Sequence, residues 1–154
     1  MTNEMMIAKL ELKELVDTFS ILADQKDVKT QAGLFTEDAS LISYSGDQKI
    51  SEQHGRKEIE EGCAAFLVLF DTVYHMNGQQ VVEVDGDHAK GTAYCQVVLI
   101  GLNDGKRVQT TQGVWYEDEY VKQDGKWLIA GRTSHFTWTD AKEIRGGAIS
   151  WQTF

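Results

Sequence analysis

Apolar residues recur at helical spacing in the first half of the chain and at alternating spacing in the second. Leu12, Leu15, Val16, Phe19, Leu22 and Ala23 are interleaved with Glu11, Lys13, Glu14 and Asp17, which predicts one amphipathic helix over about residues 4–24. A shorter helix over about 28–35 puts Val28, Ala32 and Phe35 on one side, and a strand through Leu41 and Tyr44 follows. The polar segment from Ser45 to Glu52 contains Gly46-Asp47 and reads as a turn. A third helix, about 56–70, carries Ile59, Cys63, Phe66, Leu67 and Phe70 on one stripe, with Gly62 inside it read as a site of close packing.

Beyond residue 80 the period changes to two. Val81–Asp85, Ala89–Leu102, Val108–Lys122 and Lys126–Trp138 read as four strands, joined at Asp85-Gly86-Asp87, Asn103-Asp104-Gly105 and Asp124-Gly125, where hairpins need positive backbone angles. Helices first and an antiparallel meander second is an α+β plan. Such a sheet, curled around helices, forms a cone whose mouth admits a small molecule. Ala93, Cys95, Val97 and Leu99 share one face of their strand, and Thr92, Tyr94, Gln96, Val98 and Ile100 share the other. On the last strand Leu128, Ala130, Arg132, Ser134, Phe136 and Trp138 are assigned to one side and His135 to the other, so Arg132 is the expected cavity liner and His135 a core or interface residue. With both faces largely apolar, helices cover one and a partner subunit the other, which predicts a homodimer through the outer sheet face.

The chain has 154 residues, 42% of them hydrophobic, and reads as a single domain over 1–154, with a core of about 8–138 and a tail of 139–154. In that tail Gly146-Gly147, Ile149, Trp151 and Phe154 are suited to capping the cone or docking on the partner. A formal charge of −9 argues against binding a phosphate backbone or an anionic membrane. The first residues lack a basic region followed by an apolar run, and no stretch reaches the roughly 18 apolar residues of a membrane span, so a cytoplasmic location is expected. There is no proline, and no repeat or linker is evident.

Candidate chemistry is sparse. Cys63 and Cys95 have no metal-ligand or redox spacing and read as buried thiols. His54, His75, His88 and His135 show no tight ligand spacing, so no metal site is expected. Serine-nucleophile, P-loop and dinucleotide fingerprints are missing, and no cofactor is called for. His75, alone within an apolar strand, must find a partner if buried, and Arg132 must pair with an acid such as Asp24 or face a ligand. Asp24 also reads as a helix-end acid, with Asp27 as a cap for the second helix. Glu117-Asp118-Glu119 reads as part of a solvated strand end, with an inward placement of one of the three as the alternative.

Leu34-Phe35-Thr36-Glu37-Asp38-Ala39, Gly55-Arg56-Lys57-Glu58-Ile59, Val84-Asp85-Gly86-Asp87-His88-Ala89 and Asp124-Gly125-Lys126-Trp127-Leu128-Ile129 occur in that order. This pattern resembles the SnoaL-like branch of the nuclear transport factor 2-like superfamily, nearest to the group containing scytalone dehydratase, bile acid 7α-dehydratase and hexachlorocyclohexane dehydrochlorinase. The resemblance implies a cystatin-like cone, with N-terminal helices on a strongly curved, mixed but mainly antiparallel sheet. It also implies a catalytic set of Asp24, His75 and Arg132, in which His75 removes a proton, Asp24 fixes its tautomer and Arg132 stabilises developing charge. Phe19 stands where relatives carry a tyrosine or lysine, and Leu99 where some dehydratases carry a second polar residue. Tyr44, Tyr94 and Tyr116 are the phenols available to the cone, and with Phe19 and Leu99 they complete the expected substrate-binding set.

The resulting expectation is a cofactor-independent lyase or isomerase of dehydratase type, acting on a small, mainly apolar, oxygenated molecule. The alternatives are a non-catalytic binding module, and an association subunit acting through the outer sheet face.

Overall fold

The computed structural model describes residues 1–144. These form three helices, α1 (Asn3–Asp24), α2 (Val28–Ala32) and α3 (Gly55–Leu67). The strands are β1 (Phe35–Ser45), β2 (Gln48–His54), β3 (Thr72–Asp85), β4 (His88–Asn103), β5 (Lys106–Gln123) and β6 (Lys126–Glu143). They make one open sheet in the order β2-β1-β6-β5-β4-β3, in which β1 and β6 run parallel and every other pair antiparallel. The architecture is the expected α+β cone, with helices on the concave face of a mixed, mainly antiparallel sheet. No described helix is long and apolar enough to cross a membrane. Gly146-Gly147, Ile149, Trp151 and Phe154, expected to cap the cone or dock on a partner, lie outside the described residues.

Local chemistry explains most boundaries. Thr2 caps α1 by accepting from the Met5 N–H, and Asp27 caps α2 by accepting from the Thr30 N–H. The hairpin tips place Asp104-Gly105 and Asp124-Gly125 at positive φ, the conformation that tight two-residue turns require.

Four expectations need correction. The second helix ends at Ala32, so Phe35 opens β1 instead of closing a helix. The third helix ends at Leu67, three residues short of Phe70. The polar stretch after Gly46-Asp47 is an edge strand, β2, which pairs only with β1 and can therefore be polar along its length. Strand β3 begins at Thr72, well before Val81, because its first half reverses the usual pattern: Tyr74 and Met76 are exposed, whereas His75 and Asn77 turn toward α1.

That reversal seats α1. Gln80 Nε2 donates to the Leu12 carbonyl, Asn77 Nδ2 to the Val16 carbonyl and the Asp17 carboxylate, and Ser20 Oγ to Asn77 Oδ1. The helix side of this ladder advances by one turn per step, through residues 12, 16, 20 and then Asp24. The apolar stripe of the same helix, including Leu12, Val16 and Phe19, enters the core with Phe35, Ile59 and Ile129. The helix end is thus locked in both rotation and translation before any site geometry is considered.

Candidate functional site

Asp24, at the last turn of α1, meets His75 on β3. Asp24 Oδ1 lies 2.6 Å from His75 Nδ1 and also accepts from the His75 backbone N–H at 3.0 Å. An ionised carboxylate only accepts, so this contact selects the Nδ1–H tautomer and leaves Nε2 as the basic nitrogen. The His75 side chain is 10% exposed and lines a cavity of about 140 Å³ between the helices and the sheet. Phe19, Leu99, Tyr116 and Arg132 line the same space.

Arg132 is fully buried, and its Nε and Nη2 donate to the two carboxylate oxygens of Asp118 at 2.8 and 2.9 Å. The Tyr120 hydroxyl donates to Asp118 at 2.7 Å, which completes a buried network. The guanidinium lies between the Tyr116 and Phe19 rings, 3.8 and 4.5 Å from their centroids. Burial opposes its charge and Asp118 more than offsets it, so the group is held above its ordinary value and stays cationic. Its remaining nitrogen, Nη1, is buried and has no hydrogen-bond partner among the described residues. Arg132 therefore pairs with Asp118, which corrects the expectation of Asp24 as its acid and of Asp118 as part of a solvated run. Period two carries the signal: Tyr116, Asp118 and Tyr120 are buried together, and Glu117 and Glu119 face the other way.

Phe19 takes on two supporting roles. Its ring covers the guanidinium of Arg132, and its backbone carbonyl accepts from Gln31 Nε2. Burial raises the Tyr116 phenol well above its ordinary value, so at neutral pH it is a hydroxyl and not a phenolate. The thiol of Cys63, another cavity residue, is pushed up to about 11 by burial, and that of Cys95 likewise to about 11. Neither is a nucleophile at neutral pH.

Tyr44 and Tyr94 are not in the cavity. Both lie on the outer face, in a row that crosses four strands in register: Tyr44 stacks on His135, His135 on Trp115, and Trp115 on Tyr94. The physical reason is the pleat, since Tyr94 alternates with the inward Cys95 and Tyr44 with the inward Ser43. The side assignments on the last strand also change, because irregularities beside Ala130 and Thr137 shift the register twice. Ile129 consequently joins Arg132 in the interior, and Trp138 moves to the outer groove with Tyr94 and Trp115. There it lies so close over Gly113 that a Cβ at that position would fall 1.9 Å from its indole nitrogen. A shallow depression of about 530 Å³ on the outer face is lined by Glu83, Glu117, Glu119 and Thr133. It is the larger concavity, and Arg132 and Asp118 border it too, but His75, Phe19 and Tyr116 line only the smaller one. Among the described residues no group of three or more His, Cys, Asp or Glu side chains is arranged to hold a metal ion.

A family model described as a SnoaL-like domain matches residues 4–133. No curated protein matches the chain. Among solved structures, a candidate scytalone dehydratase from Novosphingobium aromaticivorans superposes with a TM-score of 0.80 at 20% identity, covering 94% of each chain. Rv3472 of Mycobacterium tuberculosis, a protein of unknown function, gives 0.74 at 26% identity over 87% of this chain and 74% of its own. A type 2 hexachlorocyclohexane dehydrochlorinase, LinA, gives 0.75 at 14% identity over 94% of each.

Proposed function

The chain belongs to the SnoaL-like domain family, and on that premise we propose that its inner cavity binds a small oxygenated molecule and catalyses proton abstraction without a cofactor. One observation carries the reading: His75, its ring held by Asp24, and Arg132, whose Nη1 has no partner among the described residues, line the same cavity. His75 Nε2 takes a proton from the carbon next to a carbonyl. The electron pair of that C–H bond becomes the enolate, whose oxygen is stabilised by the fixed guanidinium. Asp24 stabilises the imidazolium that results.

From that enolate two outcomes balance. The proton returns from His75 to a different carbon, giving an isomerisation, or the electron pair expels a β-substituent as an anion, giving an elimination. Phe19 and Leu99 offer no acid to a departing hydroxide. Isomerisation, or loss of a group that leaves readily as an anion, is therefore favoured over full dehydratase chemistry. Two fold neighbours, a candidate scytalone dehydratase and a hexachlorocyclohexane dehydrochlorinase, carry names of eliminating enzymes. Hydrogen–deuterium exchange and double-bond migration in cyclohex-3-en-1-one, followed by NMR in D2O, test the proposal. The expected result is acceleration by the native protein that falls about 10²–10⁴-fold in His75→Asn. Equal exchange with and without protein, together with unchanged ligand binding in His75→Asn, would favour the non-catalytic binding module.

A second reading concerns the outer face. Tyr74, Met76, Tyr94 and Trp138 are all substantially exposed there, beside the stacked row, an unusual amount of apolar surface to leave in water. This supports the homodimer as a proposal. Light scattering of the native protein and of Trp138→Glu tests it, with a native mass near one chain counting against it.

A further inference from the structure

Gln31 is a polar cavity residue, beside Ser43, Gln112 and Ser134, that the proposed chemistry does not use. It sits in α2, is 2% exposed, and lines the cavity with His75 and Arg132. Its Nε2 donates to the Phe19 carbonyl at 3.3 Å. That carbonyl can only accept, which fixes the orientation of the amide: the nitrogen faces α1 and the oxygen is the free end. Oε1 is buried and has no hydrogen-bond partner among the described residues.

A leucine or methionine of similar shape would fill the same space without leaving a buried acceptor unpaired, so folding alone does not favour glutamine here. Two residues that line the cavity thus each carry a buried polar atom with no partner among the described residues: an obligate acceptor, Gln31 Oε1, and an obligate donor, Arg132 Nη1. Phe19 braces both, one through its carbonyl and the other through its ring. A cavity of about 140 Å³ holds one ring-sized molecule; an engineered apolar cavity of about 150 Å³ takes benzene.

We propose that Gln31 is a specificity-determining residue that accepts a hydrogen bond from the ligand, so that the ligand is a single-ring compound bearing an O–H or N–H at one point and a separate carbonyl oxygen at Arg132. This deepens the reading of the cavity as a ligand site and rests on it. A ring lacking the donor leaves Oε1 desolvated and unpaired, and a site built for a hydrogen bond rejects such a ligand more strongly than an apolar pocket rejects a missing methylene.

Isothermal titration calorimetry on the full chain tests this with benzaldehyde, 3-hydroxybenzaldehyde, 4-hydroxybenzaldehyde and their methoxy analogues. One hydroxy isomer is expected to bind about tenfold more tightly than benzaldehyde, with the gain lost in its methoxy analogue. In Gln31→Leu the gain disappears while benzaldehyde affinity stays within about twofold. The comparison of probes in the unaltered protein does not depend on any variant folding. Equal affinity of both hydroxy isomers and benzaldehyde overturns the role of Gln31. If benzaldehyde nevertheless binds, and Leu99→Phe abolishes that binding by filling the cavity, the ligand site itself stands. Absence of binding by every probe overturns both.

Discussion

One carboxylate oxygen of Asp24 holds both the ring and the main chain of His75, at 2.6 Å from Nδ1 and 3.0 Å from the backbone nitrogen. The second contact anchors the end of α1 to β3, and the first selects a tautomer. The two effects can be separated, because asparagine keeps an oxygen for the backbone but loses the charge. In Asp24→Asn the Nδ1–H form should no longer dominate, and ¹⁵N NMR of labelled histidine should report a mixture where the native protein reports one form. An identical tautomer in both proteins would remove Asp24 from the proposed dyad and leave it as a structural acid.

The Arg132–Asp118 pair should behave as a unit. Both side chains are wholly buried, so Arg132→Met alone strands a carboxylate and should cost about 3–5 kcal/mol in urea unfolding. The double variant Arg132→Met/Asp118→Leu should recover most of that loss, less the Tyr120 hydroxyl left without its acceptor. Simple additivity of the two single losses would contradict the network.

Alkaline pH should weaken the fold through its thiols. Burial raises Cys63 and Cys95 from an ordinary value of 9.0 to about 11. The folded state therefore holds these protons more tightly than the unfolded chain. Their contribution to stability is complete below about pH 9 and is lost as pH rises toward 11. Thermal unfolding across pH 8–11 should show this decline (an order-of-magnitude window), and Cys63→Ala/Cys95→Ala should flatten it. A thiol reagent at neutral pH should label the native protein slowly and the unfolded protein at once.

Gln31→Leu should raise thermal stability. It replaces an unpaired buried acceptor with hydrocarbon, a gain of about 1 kcal/mol, while the Phe19 carbonyl loses only an additional donor. Increased stability together with lost discrimination is the pattern expected of a residue kept for binding. A marked loss of stability would assign Gln31 a packing role.

Much of this molecule can be read from its residues, and the parts that cannot have definite causes. Gly86, Gly105 and Gly125 announce their turns, and all three take positive φ. The stripe through Leu12, Val16 and Phe19 announces α1 and its buried face. His75 was conspicuous as a histidine among apolar neighbours. The first half of β3 is harder to read because Tyr74 and Met76 face out while His75 and Asn77 face the helix, so Val73 alone marks its inner side as apolar. Asp118 was hidden by its acidic neighbours, although alternation alone groups it with Tyr116 and Tyr120. Alternation likewise puts Tyr94 outside, since its parity is opposite to that of the buried Leu99. The position of Trp138 is beyond parity altogether, because a register shift at Thr137 intervenes between it and Arg132 and no glycine stands at that residue. Gln31 was invisible for a different reason: a glutamine in a short helix is ordinary until the cavity behind it is known.

The bidentate closure of Arg132 on Asp118 also bears on how a ligand is captured. Seen from outside, opposite charges at hydrogen-bond separation cancel, so the pair has almost no far field and acts as a dipole felt only at contact. The rest of the chain, at −9, turns anions away before they arrive. The cavity is thereby closed to molecules that carry negative charge in solution, yet supplied with a fixed cation for negative charge created after entry. What it selects is a neutral molecule with a latent anion.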